Sequence, residues 1–254
     1  MSKFSPLLLV FLLLASGSSY AQISAEHLPS IGSLEGLLGS VDVEEVESSV
    51  YDSRGKISIN FPAPDTARGE TANTIATILA NGSEENAIAL EKAFLAEREI
   101  FEKYLADANF DPNDMGVALS ASFIVLWELA SNKILPAEAS LSAGKRLVHA
   151  FGDLEKSLAS VPDSDKAKMY DWLMTTPVAF SGLIKTFENE GQQEYATQLR
   201  TKSGDMFEEL FILPYDMLVI TDTGEVTVDV ERIQSDQKEK EAAGEADDAL
   251  SSDW

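Results

Sequence analysis

NDMGVALSASFIVLWELAS, residues Asn113 to Ser131, decides how the rest of this chain folds. After Asp111-Pro112 it reads as one helix, and Met115, Val117, Leu119, Phe123, Ile124, Val125, Leu126, Trp127 and Leu129 cover its whole circumference rather than one stripe. A helix apolar on every side must be enclosed by other elements, so its neighbours are expected to be helices that each offer one apolar stripe. Two rival readings fall short. A membrane span needs about 20 predominantly apolar residues, and this stretch is shorter, includes Ser120, Ser122 and Glu128, and lies between acidic loops. An EF-hand loop starting at Asp111 would find Asn113 and Gly116 in place. It would then meet Met115 and Ser122 where an oxygen ligand and a bidentate Glu are required. The loop reads instead as a helix start, with Asn113 or Asp114 as N-cap.

Residues 1–21 have the secretory layout: Lys3, the apolar run PLLLVFLLLA, and the small-residue ending Ser19-Tyr20-Ala21, with cleavage expected after Ala21. The run is too short to span a membrane by itself. The expectation is an extracytoplasmic protein, periplasmic or secreted, with no membrane span after signal removal. Removing Lys3 with the signal leaves the chain one unit more negative than its full-length net charge of −24. An acidic surface of that size repels phosphate backbones, which argues against nucleic acid as a partner. The absence of Cys excludes disulfides, thiol nucleophiles and Cys-type metal centres.

Residues 22–70, with SIGSLEGLLGS, the acidic VDVEEVESS, Pro62 and Pro64, read as a loosely ordered lead-in whose one strand-like piece is Lys56–Phe61. The helical domain is expected over 71–230. A short helix over Thr71–Ala80 precedes Asn81-Gly82-Ser83, read as a turn and helix start rather than a glycosylation acceptor. Apolar residues near three- and four-residue spacing predict an amphipathic helix over Glu84–Ala108. After the central helix, Leu135-Pro136 opens a helix to about Ala159, and Pro162-Asp163-Ser164 caps another. Pro177 predicts a break or sharp kink near Thr175–Thr176, because proline lacks the N–H and clashes with the preceding turn. The last helix is expected over Gln192–Phe211. Met217–Thr221 and Glu225–Val230 then alternate around Asp222-Thr223-Gly224 as a hairpin. Residues 231–254 are read as a disordered acidic tail.

The helix leading into Asn113-Asp114, the Ala118-Leu119 and Ala121-Ser122 steps, the surroundings of Trp172 and Leu199, and the closing LVITDTGEV together resemble a bacterial family of exported proteins. That family is classed as a domain of unknown function, the one numbered six-six-eight-three, and the likeness runs from about Phe94 to Val226. The resemblance implies an all-helical exported domain. It brings no activity, cofactor or catalytic residue with it.

Candidate chemistry is sparse. Val219-Ile220-Thr221-Asp222-Thr223-Gly224 carries the local signature of aspartic proteases, but those enzymes need two carboxylates sharing a proton, and a turn needs the same residue types. His149 and Asp153 lie one helical turn apart, and the other His, His27, falls in the lead-in. Glu44-Glu45, Glu84-Glu85 and Glu208-Glu209 are adjacent pairs that do not face each other on a helix. P-loop and dinucleotide glycine patterns are absent. No residue is therefore assigned as catalytic, cofactor-binding or metal-ligating. The expectation is a mainly α protein, a bundle of five or six helices around the central one with a small C-terminal β-hairpin. In function it is expected to be a non-catalytic module contacting another protein or the cell envelope. The alternative is an extracytoplasmic hydrolase using carboxylates, an aspartic-protease-like role for Asp222 included. Under either reading the Pro177 break is a place where freed backbone groups could meet a ligand.

Overall fold

The computed structural model describes residues 69–80, 82–111, 113–151, 158 and 161–229. Among them are six α-helices in chain order: α1 Glu70–Leu79, α2 Glu84–Asp107, α3 Met115–Ser131, α4 Ala137–Ala150, α5 Asp163–Asn189 and α6 Gln193–Phe211. A 3₁₀ turn at Tyr215–Met217 leads into β1 Leu218–Ile220, which pairs antiparallel with β2 Val226–Val228, Val219 facing Thr227. The expected signal segment, the expected lead-in up to residue 68 with Lys56–Phe61, the expected acidic tail, His27, Glu44-Glu45, Asn81 and Asp153 lie outside the described residues; Gly69 and Glu70, expected in the lead-in, begin α1 instead.

The quoted stretch is the helix at the centre. Asp114 is its N-cap, accepting a hydrogen bond from the Gly116 N–H at 2.8 Å, and Asn132 ends it in the left-handed region that Asn tolerates. Asp111 accepts from the Asn113 N–H at 2.9 Å, so the carboxylates of this loop start a helix, as the sequence reading expects. Phe123, Leu126 and Trp127 are at most 1 % exposed, and of the whole helix just Val125, Glu128, Ala130 and Ser131 escape full burial. Fully burying a side chain such as Leu or Phe is worth about 1.5–3 kcal/mol, so the enclosure of α3 is the main source of cohesion. The enclosing helices are α4, α5 and α6. On the α6 side Phe123 meets Phe207 and Phe211 edge-on, with ring centroids 4.7 and 4.8 Å away. Among the described residues no helix is long and apolar enough to cross a membrane.

The expected break at Pro177 is absent: α5 runs unbroken from Asp163 to Asn189 with Pro177 inside it. In a helix the N–H of residue 177 would bond the carbonyl of Leu173, and proline cannot supply it. The Ser122 hydroxyl of α3 donates to that carbonyl instead, at 2.6 Å, with Ser122 buried. The neighbouring helix thus repairs the gap, and no carbonyl is left for a ligand to satisfy.

A second device ties α1, α2 and α5. The α1 N-cap, Gly69, has a positive φ and no side chain to cap with. Asp171 of α5 caps it from outside, one carboxylate oxygen accepting from the Gly69 N–H and the other from the Thr71 N–H, each at 2.9 Å. Arg98 of α2 donates from Nη1 to Asp171 and, at 3.1 Å, to the Thr175 hydroxyl, while its Nε donates to Glu102 at 2.9 Å. Its guanidinium lies 5.7 Å from the centre of the Tyr170 ring. Arg98 and Asp171 are 2 % and 1 % exposed, a pair sealed from water with its polar atoms engaged. Ala72, Ile75, Ala76, Phe94 and Ala179 form a small apolar cluster of their own beside it.

The hairpin stands as expected, a residue or two shorter at its ends. Gly224 has φ +79°, and a Cβ there would lie 2.4 Å from the Ala139 carbonyl oxygen and 2.6 Å from the Ser142 Cβ. The turn is therefore glycine because it seats against α4. Expected extension of α4 to Ala159 falls mostly on residues outside those described; the described helix ends at Ala150.

Ser122→Ala should destabilise the protein by about 1–3 kcal/mol, the cost of leaving a buried carbonyl unpaired. In a Pro177→Ala background, where the new alanine supplies an N–H, the same change should cost less, measured as a double-mutant cycle of urea midpoints. Equal costs in both backgrounds would show that Ser122 does not serve Leu173. Arg98→Met should cost about 3–5 kcal/mol by stranding the Asp171 charge. Adding Asp171→Asn should recover part of that loss, and a double variant less stable than Arg98→Met would contradict the pairing.

Candidate functional site

Enclosure of α3 is incomplete on one side. Helix α2 lies close to α1 and α5 rather than to α3, and between α2, α3 and α4 remains a pocket of about 360 Å³. That is within the size range of small-molecule sites, about 300–1,000 Å³. From α3 come Val117, Ala121, Ile124, Val125 and Glu128, one stripe at helical spacing that includes the two least buried residues of its middle. From α2 come Phe101, Tyr104 and Leu105, and from α4 come Ser140, Leu141, Gly144 and Val148. Phe110 closes the wall beside Gly144, where an added Cβ would lie 3.3 Å from its ring. Ile134, 91 % exposed, and Tyr104, 41 % exposed, stand at the mouth.

Polar groups on this wall are few. Glu128 is the sole charged residue of α3. Its Oε1 accepts from the Leu135 N–H at 2.7 Å, and its backbone carbonyl accepts from the N–H groups of Asn132 and Lys133, so one residue closes the α3–α4 turn twice. The carboxyl is held above the usual carboxylate range, first by burial; the Leu135 N–H bond and the charge of Lys185 pull the other way. The Tyr104 phenol is raised as well, first by burial and then by the Glu128 charge. Glu128 has no cation within ion-pair distance among the described residues.

The candidates read from the sequence do not converge on the pocket. Asp222 is exposed at the hairpin tip, where Thr221 does the stitching: its hydroxyl accepts from Glu225 N–H at 3.0 Å and lies 2.8 Å from the Thr223 hydroxyl. The β structure around Asp222 is two strands of three residues. His149 is exposed on α4. Glu84 and Glu85 are exposed in the first turn of α2, where acidic side chains favour the helix dipole. Glu208 and Glu209 are exposed on α6; Glu208 is raised by partial burial first, then by Asp216 and Asp205. Among the described residues no group of three His, Asp or Glu side chains is placed to hold a metal ion.

What sequence reasoning missed are Glu128 as a pocket group and the Arg98–Asp171 pair. Each had a signal: Arg98 interrupts the apolar series Phe94, Phe101, Leu105, and Asp171 sits between Tyr170 and Trp172. Comparisons with protein-family models, with curated proteins and with solved structures find no match to this chain.

Because burial raises its folded pKa, Glu128 binds more protons in the native than in the unfolded state, so stability falls as pH rises between those two values. The groups acting against burial there are the Leu135 N–H and the charge of Lys185 from α5. Glu128→Gln keeps an acceptor for Leu135 and removes the titration. Its urea midpoint should gain on that of the parent as pH rises from about 4 to 7 and meet it in acid. A gap that stays constant with pH would exclude this account.

Proposed function

We propose that this protein is an exported, non-catalytic binding module whose working surface is the pocket between α2, α3 and α4. The observation that carries the reading is the makeup of that wall: apolar side chains from three helices with one carboxyl among them. Catalysis by groups on this wall would call for a nucleophile beside a base, or two carboxyls with different protonation, and the described wall offers one carboxyl, a phenol and two serines. Ser120 already donates to the Gly116 carbonyl at 2.7 Å. The secretory layout of residues 1–21 supports the extracytoplasmic placement, and the family resemblance over about 94–226 agrees with it. Apolar residues at the mouth, Ile134 and Tyr104, extend the surface toward a larger partner in the envelope.

One observation favours the alternative, a hydrolase using carboxylates: burial raises the Glu128 carboxyl above the usual carboxylate range, the direction in which a general acid is tuned. It lacks a companion on the same wall.

The neutral dye Nile red should bind the purified mature chain one to one, and Val125→Phe, which fills the pocket from a partly exposed position, should abolish that binding without lowering the thermal midpoint. The chain should leave ester, peptide and glycoside libraries intact. Turnover that disappears in Glu128→Gln would establish the hydrolase instead.

A further inference from the structure

The pocket's wall says more about its occupant than that it is apolar. Glu128 uses Oε1 on the Leu135 N–H, and its second oxygen accepts nothing from the described residues. The Tyr104 and Ser140 hydroxyls, on the facing helices, likewise make no hydrogen bond among the described residues. Three oxygens able to accept thus border a cavity that is otherwise carbon save for the Ser120 hydroxyl, whose proton goes to the Gly116 carbonyl. Lys185, whose charge reaches Glu128, is exposed and forms no ion pair with it.

A carboxylate bordering apolar surface is costly while unpaired, and a bound cation removes that cost. An ammonium carries three donors and no acceptor; the free Glu128 oxygen accepts, and the two hydroxyls, which can donate or accept, can turn lone pairs toward it. A carboxylate or phosphate head meets the opposite situation: a like charge at the wall and a protein of net charge −24 around it. An alcohol fits the oxygens but leaves the Glu128 charge uncompensated.

We propose that the pocket binds a cationic amphiphile, its ammonium paired with Glu128 and its apolar body lying among Phe101, Leu105, Ile124 and Leu141. This rests on the reading of the pocket as a binding site and adds the charge of the occupant. Glu128 selects the head, and the carbon wall sets affinity through chain length.

The test is calorimetry at pH 7 with octylamine, octan-1-ol and octanoate, each below its aggregation threshold, alongside displacement of Nile red. Octylamine should bind at least about tenfold more tightly than octan-1-ol, a margin set by one charge-assisted hydrogen bond, with octanoate weakest. Hexylamine should bind more weakly than octylamine by about fourfold per methylene lost. Glu128→Gln should bring the amine down to the affinity of the alcohol and leave the alcohol unchanged, and Val125→Phe should remove both. Equal affinities for amine and alcohol in the parent, or octanoate the tightest, overturn the inference while Nile red binding upholds the pocket. Amine binding that survives Val125→Phe is adsorption to the acidic surface and overturns it too. If neither the dye nor any of the three ligands binds, the binding-module reading itself fails.

Discussion

A helix with no outward face imposes the arrangement of everything around it. Residues 115–131 have apolar side chains at every angle, so each direction left open exposes carbon to water. Helices α4, α5 and α6 close three directions. The fourth is where Val125 and Glu128 lie, and there α2 is held away by its packing on α1 and α5. The pocket is therefore a consequence of the same constraint that makes the bundle: an element that demands more enclosure than its neighbours deliver. A longer or differently tilted α2 would have filled the space with its own side chains.

Burial on this scale presses the polar groups within it to find partners; Ser120 and Ser203 find theirs within their own helices, and three others find theirs between helices. The Leu173 carbonyl, orphaned by Pro177, takes the Ser122 hydroxyl. The N-terminus of α1, capped by a glycine without a side chain, takes the carboxylate of Asp171. That carboxylate in turn needs a cation, which Arg98 supplies from α2. Each bond links helices distant in sequence, so the polar interior specifies which helix lies beside which while the apolar contacts supply the energy. The position of α2 follows from this: Arg98 anchors it to α5, and the segment from Phe101 to Leu105, a turn or two further on, is left facing the gap.

The sequence makes the apolar framework legible and the polar repairs illegible. The helix at 115–131, its Asp114 cap, the stripes of α2 and α6 and the hairpin at Gly224 follow from local periodicity and turn chemistry, which need no knowledge of neighbours. Pro177 shows the limit. Local rules require a break there, and the remedy sits on Ser122, a residue whose place beside Leu173 exists just in the folded bundle. Arg98 and Asp171 are hidden for a related reason: a stripe is read by its apolar members, and a charge within it passes for surface. Glu128 reads as a blemish in an apolar helix, an argument against a membrane span, when its position on the stripe with Val117, Ala121 and Ile124 marks the side that stays open.

Glu128 joins fold and site in one group. Its Oε1 and backbone carbonyl secure the turn through Asn132, Lys133 and Leu135, so replacing it with a hydrocarbon would loosen the passage from α3 to α4 as well as alter the pocket. A carboxyl used for the turn alone would be best placed in water, where ionisation is free of desolvation cost. Here it stands at the edge of the cavity, raised by burial, with a cation near enough to be felt and too far to pair. A helix-ending amide such as Gln would close the same turn without that penalty. The charge is therefore an expense to the folded chain alone, and it is offset when something positive enters the pocket.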